Sequence, residues 1–165
     1  MAERKRMKII HPIAPVFDEN SRILILGSFP SVKSREAMFF YGHPQNRFWK
    51  VTAAVFEDEV PSTINEKKDF LLRNRIAVWD VIGECEISGS SDASIRNATV
   101  NDLSRILDHA DIEQIYVNGK TAEKMYRKYT EKHIGRKCIV LPSTSPANAA
   151  WSLDRLTEAW SIIRD

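Results

Sequence analysis

The chain has 165 residues, 43% hydrophobic and 28% charged, with a formal net charge of +2 and a pI near 8.5. That profile describes one soluble globular domain, residues 1–165, able to bury its own core. It excludes a low-complexity chain and a membrane-spanning one, and its weak basicity permits nucleic-acid binding without arguing for it.

Cys85 and Cys138 lie far apart and form no C-x-x-C. A zinc ribbon or iron–sulfur cluster is therefore not expected, and two reduced thiols in a cytoplasmic (or nucleoid-associated) protein are. "MAERKRMKII" reads as a basic arm. Its apolar part is too short for a signal segment and no small-residue cleavage site follows. "HPIAPVFDEN" is a proline-interrupted lead-in.

The apolar run "RILILG" (22–27) predicts a buried strand, followed by the turn "GSFPS" and the aromatic stretch "FFYGHPQNRFWK" (39–50). "NRFWKVTAAVF" predicts a helix with Phe48, Val51 and Val55 on one face. "STINEKKDFLLR" predicts another, capped by Ser62 or Thr63. A second strand is expected at "RIAVWDV" (75–81). The polar stretch 83–100 predicts a long loop, and long loops in compact domains tend to be functional. "NDLSRILDHA" predicts a helix capped by Asn101, with Leu103, Ile106, Leu107 and Ala110 inward. A third strand is expected at "IEQIYVNG" (112–119). "TAEKMYRKYTEKH" then turns Ala122, Met125, Tyr126 and Tyr129 inward. A fourth buried strand, "KCIVLP" (137–142), leads through "PSTSPAN" to a last helix with Leu153, Leu156, Trp160 and Ile163 on its inner face. Strands alternating with helices predict an α/β fold, a parallel sheet covered on both faces.

The unusual residues follow the strands: "GSFPS", "WDVIG", "NGKTA" and "PSTSPAN". In open α/β sheets ligands bind beyond the carboxyl ends of the strands, which locates a site before any chemistry is assigned. Several chemistries are excluded. No G-x-G-x-x-G follows the first strand, and "NGKT" lacks the phosphate-loop glycine because position 114 is Gln. His11, His43, His109 and His133 have no metal-ligand spacing, and no G-x-S-x-G elbow is present.

The unit from Gly27-Ser28-Phe29-Pro30 to His43-Pro44-Gln45-Asn46-Arg47-Phe48-Trp49 resembles the first motif region of the uracil-DNA glycosylase superfamily. "PSTSPANAAW" resembles its second motif, the loop that enters DNA. Phe29 fills the turn position where most branches carry a catalytic Asp or Asn. The variant is similar to the hypoxanthine (deoxyinosine) DNA glycosylase branch, whose catalytic residue is the Asn of the His-Pro-x-Asn run, here Asn46. The resemblance implies a three-layer α/β/α fold with a four-stranded parallel sheet in the order 2-1-3-4. It also implies base flipping, a monofunctional enzyme that leaves an abasic site, and no cofactor or metal. The partner implied is double-stranded DNA with a deaminated base, bound by a monomer.

In that frame Asn46 positions water and also suits a helix cap. A carboxamide orients water but is too weak a base to do more. Tyr41 is the expected stacking floor, with Phe40 its rival. Backbone N–H groups near Phe29 and Gly42-His43 are expected to read O6, and Asp80 to accept from N1–H. Ser31, Lys33, Arg47, Ser143, Thr144, Ser145, Pro146 and Asn148 are expected on DNA, with Arg35 and Lys50 adding positive charge. Uracil excision, a damage-binding module without turnover and a flavodoxin-like binding protein are the competing readings.

Overall fold

The computed structural model describes residues 7–164; of the basic arm read at 1–10, residues 1–6 lie outside them and Met7–Ile10 form a strand instead of an arm. In chain order the elements are β1 (Met7–Ile10), β2 (Ile23–Gly27), α1 (Val32–Ala37), α2 (Phe48–Val55), α3 (Ile64–Arg73), β3 (Ile76–Asp80), β4 (Ile82–Ile87), β5 (Arg96–Val100), α4 (Ser104–Leu107), β6 (Gln114–Asn118), α5 (Lys120–Met125), α6 (Glu131–Ile134), β7 (Cys138–Leu141) and α7 (Leu153–Trp160). The four parallel strands run β3-β2-β6-β7, the 2-1-3-4 order the resemblance implied. Leu24, Ile25 and Leu26 of β2 are fully buried, as are Ile76, Ala77 and Val78 of β3. Continuous apolar runs are what a sheet covered on both faces requires. The register pairs Gly27 with Asp80 and Asn118 with Leu141, so the strands end together and their following residues share one edge.

The helices pack as their periodicity demands. Phe48, Val51 and Val55 of α2 are buried, and Trp160 of α7 meets Phe48 edge-on at 5.9 Å. Truncating Phe48 to Ala would cost about 3–5 kcal/mol by the lost transfer energy and the cavity left behind. Thr63 caps α3 in a reciprocal box with Glu66.

Four local expectations are corrected. The stretch 83–100 is not a loop. It supplies β4 and β5 of a three-stranded antiparallel sheet, β1-β4-β5. Ile82, Cys85 and Ile87 are buried there while the polar residues between them reach solvent, so charged side chains mask a half-buried strand. Asn101 does not cap α4; its amide donates to the carbonyls of Asp80 and Ile82. A π-turn over Tyr126–Thr130 shifts the helical register, burying Thr130 in place of Tyr129. Finally, β7 is an edge strand with Ile139 38% and Val140 41% exposed, and Leu153 of α7 also faces outward.

One junction matters for the site. β3 continues into β4 through Val81, so a single run of chain crosses from the parallel to the antiparallel sheet. The Val81 and Ile82 N–H groups donate to the carbonyls of Gly27 (2.8 Å) and Ser28 (3.0 Å), pinning the crossing to the end of β2. The lead-in segment is pinned alongside. Val16 and Val78 exchange backbone hydrogen bonds of 3.0 Å, and the His11 N–H donates to the Gly83 carbonyl at 2.7 Å. Asp80 and His11 thus meet at the corner between the two sheets.

Candidate active site

A pocket of about 300 Å³ opens at the carboxyl edge of the parallel sheet. Of the residues expected at the site, Phe29, Ser31, Tyr41, His43, Asn46, Asp80, Ser143, Thr144, Ser145 and Pro146 line it. Every strand end contributes, as the strand-edge argument predicted.

Asn46 is held by its oxygen. Oδ1 accepts from the Phe48 N–H (2.9 Å) and from the Thr144 hydroxyl (2.8 Å). A backbone N–H must meet an oxygen, so these bonds fix the amide's orientation and turn Nδ2 the other way. Asn46 therefore helps to cap α2 and lines the pocket at once, although the formal cap position is Arg47. Behind it, Asn118 Nδ2 donates to Thr144 Oγ1 at 3.0 Å and Asn118 Oδ1 accepts from the Thr144 N–H at 3.1 Å. The result is a directed chain, Asn118 to Thr144 to Asn46. Asn118 was missed in the sequence, though its place at the end of the third strand was the available signal.

Tyr41 stacks on Phe48 with ring centroids 4.0 Å apart and a 15° tilt, while its ring also borders the pocket. Its backbone φ of 51° lies in the left-handed region, uncommon for an aromatic residue and a mark of local constraint. Burial first, then the Asp80 charge, push the Tyr41 hydroxyl well above the usual phenol range, with Asn118 opposing. Tyr41 is therefore a neutral phenol at any physiological pH. Phe39 and Phe40 are both core residues, 3% and 2% exposed, and Phe40 also borders the pocket.

Asp80 is nearly buried. Its Oδ2 lies 2.7 Å from His11 Nε2, with the two side chains 6% and 3% exposed. Its Oδ1 lies over Gly27, only 2.4 Å from where a β-carbon would sit, so glycine alone makes room for the carboxylate. His11 carried no functional expectation, because its partner is 69 residues away and no spacing connects them.

Several groups expected to contact a base or DNA already have partners within the chain. The Gly42 N–H donates to the buried Ser34 hydroxyl at 3.0 Å and is not free to read a base. The His43 Nδ1 accepts from the Gln45 N–H at 3.1 Å, so Nε2 carries the ring proton. Thr144 is fully buried and its hydroxyl donates to Asn46. Arg47 is a strut: its guanidinium donates to the carbonyls of Trp151, Ser145 and Asn148. Asn148 Nδ2 donates to the Ser143 carbonyl, and the hydroxyls of Ser143 and Ser145 accept from the N–H groups of Ser145 and Ala147. The loop 143–151 is thus prefolded by its own polar groups, leaving Ala147, Ala149 and Ala150 exposed at its surface. Ser31 caps α1. Lys33 pairs with Glu36 in the open at 3.6 Å, and Lys50 is exposed. Arg35 lies over Phe29 at 5.7 Å and donates to the Gly89 carbonyl, and burial lowers its pKa.

Residues 14–165 match the family model of the uracil DNA glycosylase superfamily. The chain belongs to that superfamily. A Methanosarcina acetivorans protein named hypoxanthine DNA glycosylase is 35% identical over 151 residues, covering 90% of this chain and 94% of that one. Its Methanosarcina barkeri namesake is 32% identical over 149 residues, with 89% and 92% covered. A candidate uracil DNA glycosylase from M. acetivorans, solved by solution NMR, superposes with a TM-score of 0.80 at 32% identity, over 96% of this chain and 98% of that one. Among the described residues no helix is long and apolar enough to cross a membrane, and no group of three His, Cys, Asp or Glu side chains could hold a metal ion.

Proposed function

We propose that the chain is a monofunctional DNA glycosylase that excises hypoxanthine from deoxyinosine in duplex DNA. The observation that carries the reading is Asn46, locked by Thr144 and the Phe48 amide at the wall of a pocket whose turn holds Phe29 in place of an acid or amide. The full-length similarity to proteins named hypoxanthine DNA glycosylase supports it.

A base in a stacked duplex is out of reach, so the nucleotide must be flipped into the pocket. The base stacks on Tyr41, whose other face is backed by Phe48. The C1′–N9 bond then breaks with its electron pair leaving on the base, giving an oxocarbenium-like sugar. Both lone-pair directions of Asn46 Oδ1 are taken, so Asn46 holds the attacking water by donating from Nδ2. Such a water is oriented, not deprotonated, which suits addition to a sugar that is already cationic. The water oxygen bonds to C1′ and its proton passes to solvent or the departing base. His43 Nε2–H is the donor for O6, and Asp80 Oδ1 the acceptor for N1–H. Among the described residues no lysine lines the pocket, consistent with hydrolysis without a covalent imine. Uracil presents the same pairing of a ring N–H beside a carbonyl, and the NMR neighbour keeps it as the second reading.

The test is incubation with duplexes bearing one deoxyinosine or one deoxyuridine, followed by alkali. Cleavage at deoxyinosine is expected, and Asn46→Ala should lose about 10²–10³-fold in rate, the scale for one preorganised polar group, while still binding DNA. Cleavage at deoxyuridine alone would move the assignment to uracil. Tight binding without product would make the protein a damage binder.

A further inference from the structure

His11 lies ahead of the residues that match the family model, yet its side chain is 3% exposed and sits against the pocket-lining Asp80. Its protonation pattern follows from its hydrogen bonds. Nδ1 accepts from the Ile13 N–H at 3.1 Å and therefore bears no proton. The proton is on Nε2 and is donated to Asp80 Oδ2 at 2.7 Å. Three rings wall the imidazole in: Phe29 edge-on at 5.8 Å, Phe40 at 6.0 Å and Trp79 at 6.4 Å. The ring is thus bordered by three aromatic side chains and held by hydrogen bonds at both nitrogens, and Phe29 acquires a role in the turn where it replaces a polar residue.

We infer that His11 is a positioning residue that keeps Asp80 a one-sided hydrogen-bond acceptor for the ring N–H of the flipped base. The inference rests on the glycosylase reading above. Oδ2 is consumed by the imidazole, and Oδ1, braced over Gly27, is what remains for the base. A carboxylate so held accepts N1–H of hypoxanthine and repels the N1 lone pair of adenine, the base from which hypoxanthine arises by deamination. Without His11 the carboxylate would be buried with no donor. It would then rotate or take up a proton, and a protonated acid donates to adenine N1 as readily as it accepts elsewhere.

The experiment is a mutant cycle on deoxyinosine duplexes with wild type, His11→Ala, His11→Gln, Asp80→Asn and the His11→Ala/Asp80→Asn double variant, each checked for folding by circular dichroism. His11→Ala should lower kcat/KM about 10- to 100-fold, the scale of a lost hydrogen bond to a charged group. His11→Gln places a neutral N–H donor near the Nε2 position and should restore most of that loss. In the Asp80→Asn background, removing His11 should cost little more, because its effect runs through the carboxylate. Full activity in His11→Ala would overturn the inference, as would an equal penalty with and without Asp80. A wild-type protein inert on deoxyinosine overturns the glycosylase reading and this inference with it; an active wild type with an indifferent His11 overturns this inference alone.

Discussion

The two walls of the pocket are built on opposite principles. One wall is neutral: an amide, a hydroxyl and a second amide, Asn118, Thr144 and Asn46, joined by bonds of 2.8–3.1 Å. The other is ionic: a carboxylate and an imidazole, both nearly buried, meeting where one strand passes between sheets. A neutral relay fixes direction at little desolvation cost, which suits a group that aims a water. A buried carboxylate is costly unless paired, but it discriminates sharply between a donor and a lone pair. On this view the neutral wall sets rate and the ionic wall sets choice of base.

That division can be broken by striking one wall at a time. After Asn46→Ala itself, the largest effect is expected from Gly27→Ala, whose β-carbon would fall 2.4 Å from Asp80 Oδ1. The carboxylate must move, and a displacement on the order of 1 Å in a positioning group can cost about 10²-fold. Excision of hypoxanthine should fall while discrimination against adenine in matched duplexes weakens; an unchanged hypoxanthine-to-adenine ratio would blur the two walls into one. Thr144→Val deletes the hydroxyl between the two amides and leaves Asn118 Nδ2 without its acceptor. A loss of about tenfold in single-turnover rate is expected, from an unsatisfied group worth about 1–3 kcal/mol. Here the loss should be the same for every base accepted.

Tyr41 touches both walls, and its effect is on stability. Its folded-state pKa is raised, so the folded chain holds the phenol proton more tightly than the unfolded chain does. The stabilisation is complete below the unfolded value of about 10 and is lost as pH rises past it. Tyr41→Phe should therefore flatten the alkaline fall, read as urea midpoints at about pH 9 and about pH 10.5. The smallest effects belong to Lys33 and Lys50, both exposed. Removing either should leave the rate at saturation unchanged and, if it meets a phosphate, reduce the salt slope of DNA binding by about one.

Each wall offered one residue to the sequence reading: Asn46 in a contiguous run and Asp80 at a strand end, while Asn118 and His11 carried no expectation and Thr144 was expected on DNA. The parallel sheet was legible because Leu24–Leu26 and Ile76–Val78 are apolar without interruption. The antiparallel sheet was not, because Glu84 and Glu86 alternate with Cys85 and Ile87 and make a strand look like a polar loop. His11 was illegible because its meaning lies in a partner brought from 69 residues away by the crossing of β3 into β4. Arg47 misled for a related reason: a cation beside a DNA-entering loop suggests a phosphate contact, yet the loop's own carbonyls claim it.

The prefolded loop 143–151 has a consequence for how such a protein would search a genome. With Arg47, Ser143, Ser145 and Asn148 already tying its backbone, the loop has little left to order when it meets a duplex. Encounter would then demand almost no rearrangement of the protein, and the slow coordinate would lie in the nucleic acid. Sites would be sampled in proportion to how readily each pair opens and each step kinks, so weakly paired, deaminated bases would present themselves most often. On the proposed reading, a stiff loop would make the searcher a passive gauge of the local softness of DNA.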